Sequence, residues 1–225
     1  MRGPRKRIVT CPLSTRDTSC VIIPVDPGDG GTAMEPIELT TVSTPDDVRD
    51  ILGLQARNLP SALTPETMAT HGFVTVRHDA SVLQRMNEAA PAIVAKAAGR
   101  VVAYALVMPP SFAADVPILG PLFEALKSLS WKGVPLLDNP RWFVMGQICI
   151  AERYRGIGIF DRLYRTMAEQ YGSRFDLVVT EVAARNTRSL RAHARVGFAP
   201  LHVYPDATTG EEWHVIGLDL SQPAS

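Results

Sequence analysis

The sequence predicts an α/β fold with a mixed sheet, and three features of its C-terminal half point to that class. An apolar strand at 141–150 runs into a glycine loop at 151–158, and an amphipathic helix follows the loop. A near-continuous apolar strand comes next, at 175–183, as is typical of a strand buried on both faces. A strand, a glycine loop, a helix and a second strand in this order favour parallel pairing of the two strands.

Composition places the chain among ordinary globular proteins and excludes several functions. The 225 residues suit one domain with or without an appendage, and 46% of them are hydrophobic. The 23 Lys and Arg balance 23 Asp and Glu, which argues against the broad basic surface that nonspecific nucleic-acid binding needs. The three cysteines, Cys11, Cys20 and Cys149, cannot all pair and have no metal-ligand spacing, so we expect a reducing cytoplasm and no metal.

No membrane association is expected. The longest apolar tract, 101–123, contains four prolines and Asp115, and a lipid-embedded helix would have to satisfy every backbone group that those prolines disturb. We therefore interpret the tract as a strand followed by a loop. The N-terminus has no continuous apolar stretch of the kind that a secretory signal requires.

The first 33 residues stand apart from the rest of the chain. Residues 1–25 hold five basic residues and one acid, and the helix breaker Pro-Gly-Asp-Gly-Gly follows at 27–31. We expect a disordered or misannotated leader at 1–33 and a single domain at 34–225. A basic targeting presequence and a strand that docks on the domain are the alternatives.

Regular elements are predicted from residue 36 onward. Thr44-Pro45-Asp46-Asp47 supplies the cap residue, the proline and the early acids that open a helix. An insertion at about 111–140 holds a short helix whose leucines need burial, and it could form a lid or a contact in a homodimer. The predicted strands are 37–42, 92–97, 101–108, 141–150, 175–183, 201–204 and 213–220, and the predicted helices are 44–59, 65–71, 81–90, 117–130, 159–171 and 186–197.

The strongest local signal is the glycine loop. Gly156 and Gly158 lead the chain into the N-terminus of a predicted helix, where unpaired N–H groups and the helix dipole favour a phosphate or pyrophosphate. A tight turn without a ligand is the alternative. A dinucleotide-binding fingerprint is excluded because Asp161 occupies the position that needs a third glycine or alanine, and a P-loop because no Gly-Lys-Ser/Thr follows.

A second motif lies on the short helix that begins at Asn186. At about 100° per residue, Asn186, Ser189 and His193 share one narrow stripe, which indicates a partner other than the core; a helix cap plus a satisfied histidine is the alternative. The opposite side carries Arg188, Arg191 and Arg195. We interpret these arginines as a solvated face rather than a phosphate clamp, because they point away from the stripe.

Residues 141–220 resemble the cofactor-binding half of the GNAT-family N-acetyltransferases. Arg155 and Gly158 match the family's Q/R-x-x-G-x-G/A motif, and Phe160 departs from it. The later segment is most similar to the variant N-x-x-S-x-x-x-H-x-x-x-G-F, which is matched by Asn186, Ser189, His193, Gly197 and Phe198. The two motifs occur in the family's order with the expected elements between them.

The resemblance implies a GNAT-type fold, in which a mixed, mostly antiparallel central sheet is splayed at the cofactor site and carries helices on both faces. It also implies acetyl-CoA as cosubstrate. The pantetheine would run beside Ile148, Cys149 and Ile150 and would be reached by Asn186 and Ser189. The pyrophosphate would sit on the backbone N–H groups of Arg155, Gly156, Ile157, Gly158, Ile159 and Phe160.

For catalysis the resemblance singles out His193, because many family members carry there a tyrosine that protonates the leaving thiolate. The histidine would either supply that proton or only hydrogen-bond the thiol. Glu181, near the end of an apolar strand, is the best carboxylate for a base; an ion pair with Arg185 and a water chain to bulk solvent are the alternatives. Cys149 is interpreted as a small buried hydrophobe, since direct transfer needs no enzyme nucleophile.

We therefore expect an acetyl group to pass from acetyl-CoA to an amine by direct attack, without a covalent enzyme intermediate. Balanced charge offers no docking surface for basic protein tails, which favours a small-molecule amine as the acceptor. A non-catalytic acyl-CoA-binding sensor or interaction module, and transfer of a longer acyl chain, are the alternatives.

Overall fold

The computed structural model describes residues 21–23, 35–207 and 209–221 of the chain. The strands are β1 (Val21–Ile23), β2 (Ile37–Thr41), β3 (Ile93–Ala97), β4 (Arg100–Ala105), β5 (Ser130–Trp131), β6 (Val134–Pro135), β7 (Trp142–Val144), β8 (Ile148–Ile150), β9 (Leu177–Ala183), β10 (Ala199–Pro205) and β11 (Glu212–Asp219). The α-helices are α1 (Pro45–Asn58), α2 (Pro65–His71), α3 (Ala80–Ala89), α4 (Gly120–Leu126), α5 (Ile159–Tyr171) and α6 (Thr187–Arg195). The α/β prediction is therefore confirmed.

The strands form two main sheets. One has the order β1-β2-β3-β4-β8, and each neighbouring pair in it is antiparallel. The other has the order β10-β11-β9-β7, in which β7 and β9 are parallel and the remaining pairs are antiparallel. The parallel pair lies on either side of the glycine loop and α5, as the sequence predicted.

The two sheets diverge where one predicted strand divides into two. The apolar run at 141–150 forms β7 and β8, and the residues 145–147 between them belong to neither strand. β7 pairs with β9, whereas β8 pairs with β4. A single bridge between Met108 and Val144 continues the connection across the division. The prediction of one continuous strand was wrong. The residues stay apolar on both sides of the division, so the sequence pattern does not indicate that the strand changes its pairing partner there.

Local sequence explains how the helices begin and which faces they bury. Thr44 accepts a hydrogen bond from the Asp47 N–H, and the Asp47 side chain accepts one from the Thr44 N–H, which is a capping box. Apolar residues of α1 and α3, such as Ile51 and Leu83, pack into one buried cluster, and apolar residues of α5, such as Leu163, pack into another. Helices thus cover both faces of the sheets.

The insertion at about 111–140 packs on the domain. Its leucines Leu119, Leu122, Leu126 and Leu136 are buried in the same cluster as α1. The role of the insertion as a lid or a homodimer contact stays a prediction. Among the described residues, no helix is long and apolar enough to cross a membrane.

Part of the proposed leader belongs to the sheet. Val21–Ile23 pairs with β2 in antiparallel register, from Val21 opposite Leu39 to Ile23 opposite Ile37. For these three residues, the alternative of a strand that docks on the domain is the one that the structure shows. The rest of the segment 1–33 lies outside the described residues, so the leader remains a prediction there.

Candidate active site

A cavity of about 750 Å³ lies beside the point where the sheets diverge. Its lining comes from β8, from the loop and first turn at the start of α5, from α6, from Asn58 of α1, and from the segment 70–74, which begins in the last turn of α2. All the residues predicted to bind the cofactor line this cavity except Ile157, whose side chain packs against the buried cluster around α5. The two sequence motifs therefore meet at one place.

The start of α5 presents uncapped backbone donors to this cavity. Gly158 is the N-cap residue, with a φ of 81°, and no side chain caps the helix. Gly156 has a φ of 80°. Both angles lie in the left-handed region that favours glycine, and a Cβ at either position would meet open space, so the glycines serve the turn of the backbone. Unpaired N–H groups and the helix dipole favour an anion here.

Two arginines stabilise this turn. The Arg155 Nε donates to the Ile150 carbonyl at 3.0 Å, and its guanidinium also donates to Asn58 Oδ1 at 2.8 Å, which fastens the glycine loop to β8 and to α1. Asp161, in the first turn of α5, pairs with Arg195 of α6 at 2.6 Å. That ion pair offsets a negative charge that would otherwise oppose an anion at the turn.

The arginines of α6 are solvated, as the sequence predicted, and they also border the cavity. Arg188, Arg191 and Arg195 are exposed, and all three line the cavity. Only the expectation that they point away from the site was wrong, because the cavity extends around the helix and borders residues of both stripes. Arg188 also donates to the Thr70 carbonyl at 2.8 Å, which joins α6 to the segment 70–74. Positive charge thus borders the same cavity as the anion-binding turn.

A smaller pocket of about 80 Å³ extends into the gap between β8 and β9. Glu181, Trp213 and the residues 145–147 line only this pocket. Five residues border both cavities, namely Phe73, Val74, Ile148, Asn186 and Ser189. The shared boundary is the arrangement that transfer of a group between two bound molecules requires.

Glu181 is the carboxylate of the smaller pocket. Burial raises the pKa of Glu181 to about 7, against the opposing effect of a hydrogen bond that its Oε2 accepts from the Tyr204 hydroxyl at 2.5 Å. A carboxyl group that titrates near neutral pH suits a general base. The alternative ion pair with Arg185 is not formed, because Arg185 pairs with Glu211 at 2.9 Å.

His193 is buried and borders the smaller pocket. Its Nδ1–H donates to the Ser189 carbonyl at 2.8 Å, and its Nε2 accepts from the Tyr164 hydroxyl at 2.8 Å. The rings of Phe160 and Phe198 pack edge-on against it. Burial lowers the pKa of His193 to about 4, so the imidazole is neutral at pH 7. His193 borders only the smaller pocket, and its role as a proton donor stays a prediction.

Cys149 lines the larger cavity as a buried, free thiol. Burial raises the pKa of this thiol to about 11, against smaller lowering effects of neighbours such as Arg155. A thiol that keeps its proton at neutral pH is a poor nucleophile. Its environment therefore agrees with the interpretation of Cys149 as a small hydrophobe.

Sequence reasoning missed Asn58 and the segment 70–74 as parts of the site, and it missed the contact between Tyr204 and Glu181. Tyr204 lies opposite Trp213, and Trp213 lies opposite Ala183, so the register of three antiparallel strands puts Tyr204 in line with Ala183, two residues along β9 from Glu181. A prediction of how β9, β10 and β11 align would have indicated this contact. Asn58 and the segment 70–74 reach the site through tertiary packing and had no local signal.

Comparison with known proteins defines the class of this fold and site. The family model described as "Acetyltransferase (GNAT) family" matches residues 56–198. No curated protein sequence matches the chain. The chain therefore belongs to the GNAT acetyltransferase family.

Solved structures share the fold at low sequence identity. One is yncA of Salmonella typhimurium, solved with its cofactor acetyl-CoA (TM-score 0.53, 14% identity, 84% of this chain and 96% of that one). Another is a GNAT-family protein of Desulfovibrio desulfuricans (TM-score 0.55, 12% identity, 82% and 99%). A third is a ribosomal-protein-alanine N-acetyltransferase of Brucella melitensis (TM-score 0.52, 16% identity, 80% and 98%). The splayed, mixed sheet of the prediction is thus confirmed as a GNAT-type fold.

Proposed function

We propose that this protein transfers the acetyl group of acetyl-CoA to the amine of a small molecule by direct attack. The observation that carries the proposal is the shared boundary of the two cavities. One contains an uncapped helix turn suited to a diphosphate, and the other contains a carboxylate whose pKa is about 7. Acetyl transfer from acetyl-CoA is what the family does in general; the amine acceptor and its small size belong to the proposal.

The larger cavity fits acetyl-CoA in size and in chemistry. Its volume of about 750 Å³ lies within the ~300–1,000 Å³ that is typical of cofactor sites. The N–H groups between Arg155 and Phe160 would hold the diphosphate. Ile148–Ile150 would hold the extended pantetheine along the edge of β8 that does not face β4, with Asn186 and Ser189 on the other side. When bound, acetyl-CoA supplies the activated acetyl group.

Glu181 is the proposed base. An ammonium group cannot attack a carbonyl, so Glu181 would accept its proton, directly or through water. The amine nitrogen then bonds to the acetyl carbon and loses a second proton, and the carbon–sulfur bond breaks as its electron pair moves to sulfur. The leaving thiolate takes up one proton, which balances the one that the nitrogen loses. A backbone N–H of β8 would donate to the carbonyl oxygen as negative charge develops on it. These steps need no covalent bond to the protein.

The proton that returns to the leaving sulfur is assigned to His193, or to a group that His193 positions. Ser189 Oγ lies 3.2 Å from His193 Nδ1 and lines both cavities, so it connects the buried ring to the site. We expect His193→Phe to lower kcat while leaving the KM for acetyl-CoA nearly unchanged, and Ser189→Ala to lower kcat and also to raise that KM, because Ser189 borders the cofactor cavity. A fall in melting temperature with unchanged kcat per folded molecule would assign His193 to packing.

Two measurements test the proposed function. Calorimetric titration should give saturable binding of acetyl-CoA, and an assay of free CoA thiol across a panel of primary amines should give turnover. Tight binding without turnover on any amine would instead favour a non-catalytic acyl-CoA sensor. A lack of binding at millimolar acetyl-CoA would contradict both. Parallel assays with propionyl- and succinyl-CoA would determine the acyl preference.

A further inference from the structure

The smaller pocket contains a negative group but lacks a positive one. Among the described residues that line it, Glu181 is the only carboxylate and none is a lysine or an arginine; His193 is neutral at pH 7. Two of the other polar side chains, those of Gln147 and Thr180, already have partners inside the protein. Gln147 bonds to Tyr104 and to the Val76 carbonyl, and Thr180 bonds to the Met145 carbonyl.

The surroundings of the pocket are also acidic. Asp206 is close enough to raise the pKa of Glu181. Arg185 lies 5.2 Å from the ring of Phe73, which lines the pocket, but its charge is paired with Glu211 at 2.9 Å. An anionic group on an acceptor would therefore meet Glu181, and no lysine or arginine among the described lining residues would balance it.

The size of the pocket fixes which part of an acceptor meets these charges. Its volume of about 80 Å³ is several times the ~10–15 Å³ that one water molecule needs and far below the about 750 Å³ of the larger cavity, so it takes a small part of an acceptor. The amine nitrogen must reach the boundary with the larger cavity, so the atoms that occupy the pocket are the nitrogen, the carbon next to it and the substituents of that carbon. A carboxylate on that carbon would be held beside Glu181.

We infer that the acceptor is a primary amine whose adjacent carbon bears no carboxylate, so that free α-amino acids are excluded while their amides and decarboxylated counterparts are substrates. The inference rests on the proposed function, because it treats the smaller pocket as the acceptor side of the reaction. Glu181 then does two things: it accepts the proton of the amine, and it repels a carboxylate on the neighbouring carbon.

Matched pairs of amines test the inference. Alaninamide is compared with alanine, and tryptamine with tryptophan, as kcat/KM for thiol release by the full-length chain, corrected for the unprotonated fraction of each amine. The uncharged member should exceed the amino acid by at least ~10-fold, which corresponds to ~1.4 kcal/mol. Equal values within each pair would overturn the inference and leave acetyl transfer itself intact.

A variant with a new cation checks the cause. Thr75 lines the pocket and is exposed, so Thr75→Arg would place a positive charge at its edge, and Thr75→Gln is the control of similar polarity without charge. Thr75→Arg should reduce the preference for the uncharged amine, and Thr75→Gln should retain it. If the two variants behave alike, charge is not the cause and the inference is wrong.

Binding distinguishes this inference from the proposed function. If no amine turns over, the proposed function fails, but the shift in melting temperature that each amine adds to the CoA complex can still be measured. Stabilisation by the amide and not by the amino acid supports the inference, and equal stabilisation contradicts it.

Discussion

At the scale of single residues, the contact between Tyr204 and Glu181 determines the pH at which the site can accept a proton. Burial disfavours the charged carboxylate, whereas the Tyr204 hydroxyl donates to it and favours it. The resulting pKa of about 7 keeps a substantial fraction of Glu181 ready to act as a base at neutral pH.

The pH profile of activity tests this balance. kcat/KM should rise as pH increases through about 7, because Glu181 must lose its proton. Tyr204→Phe removes the donor that stabilises the charged form, so we expect the midpoint to move upward by ~1 pH unit. Glu181→Gln should lower kcat/KM by ~100-fold or more at pH 8.

A second tyrosine provides the control for this experiment. Tyr171→Phe makes the same chemical change at a hydroxyl that donates to the Pro91 carbonyl, and Tyr171 lines neither cavity. Its profile should match that of the parent chain. A midpoint that does not move in Tyr204→Phe would show that another group is the base.

Cys149 gives a prediction of the opposite kind, in which little should change. Its thiol has a pKa of about 11 and is buried, so it neither attacks the acetyl group nor carries charge at neutral pH. Cys149→Ala should keep kcat within ~3-fold of the parent, with a loss of stability of ~1 kcal/mol from the smaller side chain. Loss of turnover with an intact fold would imply a covalent relay through the thiol.

At this scale the sequence predicted positions better than partners. Helical spacing correctly placed Asn186, Ser189 and His193 on one stripe, and all three border the site. It gave no sign that Tyr164, one helix earlier, donates to the His193 ring. The two interpretations of this stripe are compatible. Asn186 caps the helix and His193 has hydrogen-bond partners, and the stripe also borders a cavity.

At the scale of elements, the turn between β8 and α5 determines how an anion is held. Gly156 and Gly158 take left-handed angles that allow the chain to reverse and to point uncapped N–H groups into the larger cavity. The turn requires left-handed backbone angles, which glycine adopts more readily than other residues. The two glycines were therefore enough to predict it from the sequence.

Substitution of one glycine tests the turn against a matched site. Gly158→Ala should strain the backbone by ~1–2 kcal/mol and weaken acetyl-CoA binding by ~10-fold, as measured by calorimetry. Gly133 is the control: its φ is 83°, a Cβ there would also meet open space, and it does not line the cavity. Gly133→Ala should lose similar stability and keep its affinity; equal losses of affinity would contradict the assigned role of the turn.

Elements with a strong local signal were predicted within a few residues. The helix after Gly158 and the helix with the Thr44 capping box lie where the sequence put them. The division at 145–147 and the path of the segment 70–74 were not predictable, because both depend on which strand or helix each residue meets after folding. Long-range pairing fixes them, and a single sequence does not reveal it.

At the scale of the whole molecule, two buried histidines make stability depend on pH. Burial lowers the pKa of His78 and of His193 to about 4 each. As pH falls below the unfolded value of 6.5, the unfolded chain takes up protons that the folded chain cannot, so the free energy of unfolding decreases. The loss continues until the pH reaches about 4.

A double variant measures this effect. Between pH 7 and pH 5 the parent chain should lose ~2 kcal/mol of unfolding free energy per histidine. A chain with His78→Gln and His193→Gln should lose less over the same interval, as measured by urea denaturation. Glu181 has the opposite effect, because its folded pKa is raised and its protonation therefore increases the free energy of unfolding as the pH falls. This effect is the same in both chains and does not contribute to the difference between them. Identical pH dependence in the two chains would contradict the assignment.

The division of one strand between two sheets has a consequence for how this fold treats its own edges. β8 ends one sheet, and the part of β9 beyond its pairing with β7 has a neighbour on one side only. Bare strand edges on a surface invite other chains to add to them, which is a route to aggregation. Here the two unpaired edges face each other across a narrow gap. An extended, unbranched ligand can enter this gap, whereas a strand of another chain is too wide to do so, and the same geometry therefore limits aggregation and selects the shape of the ligand.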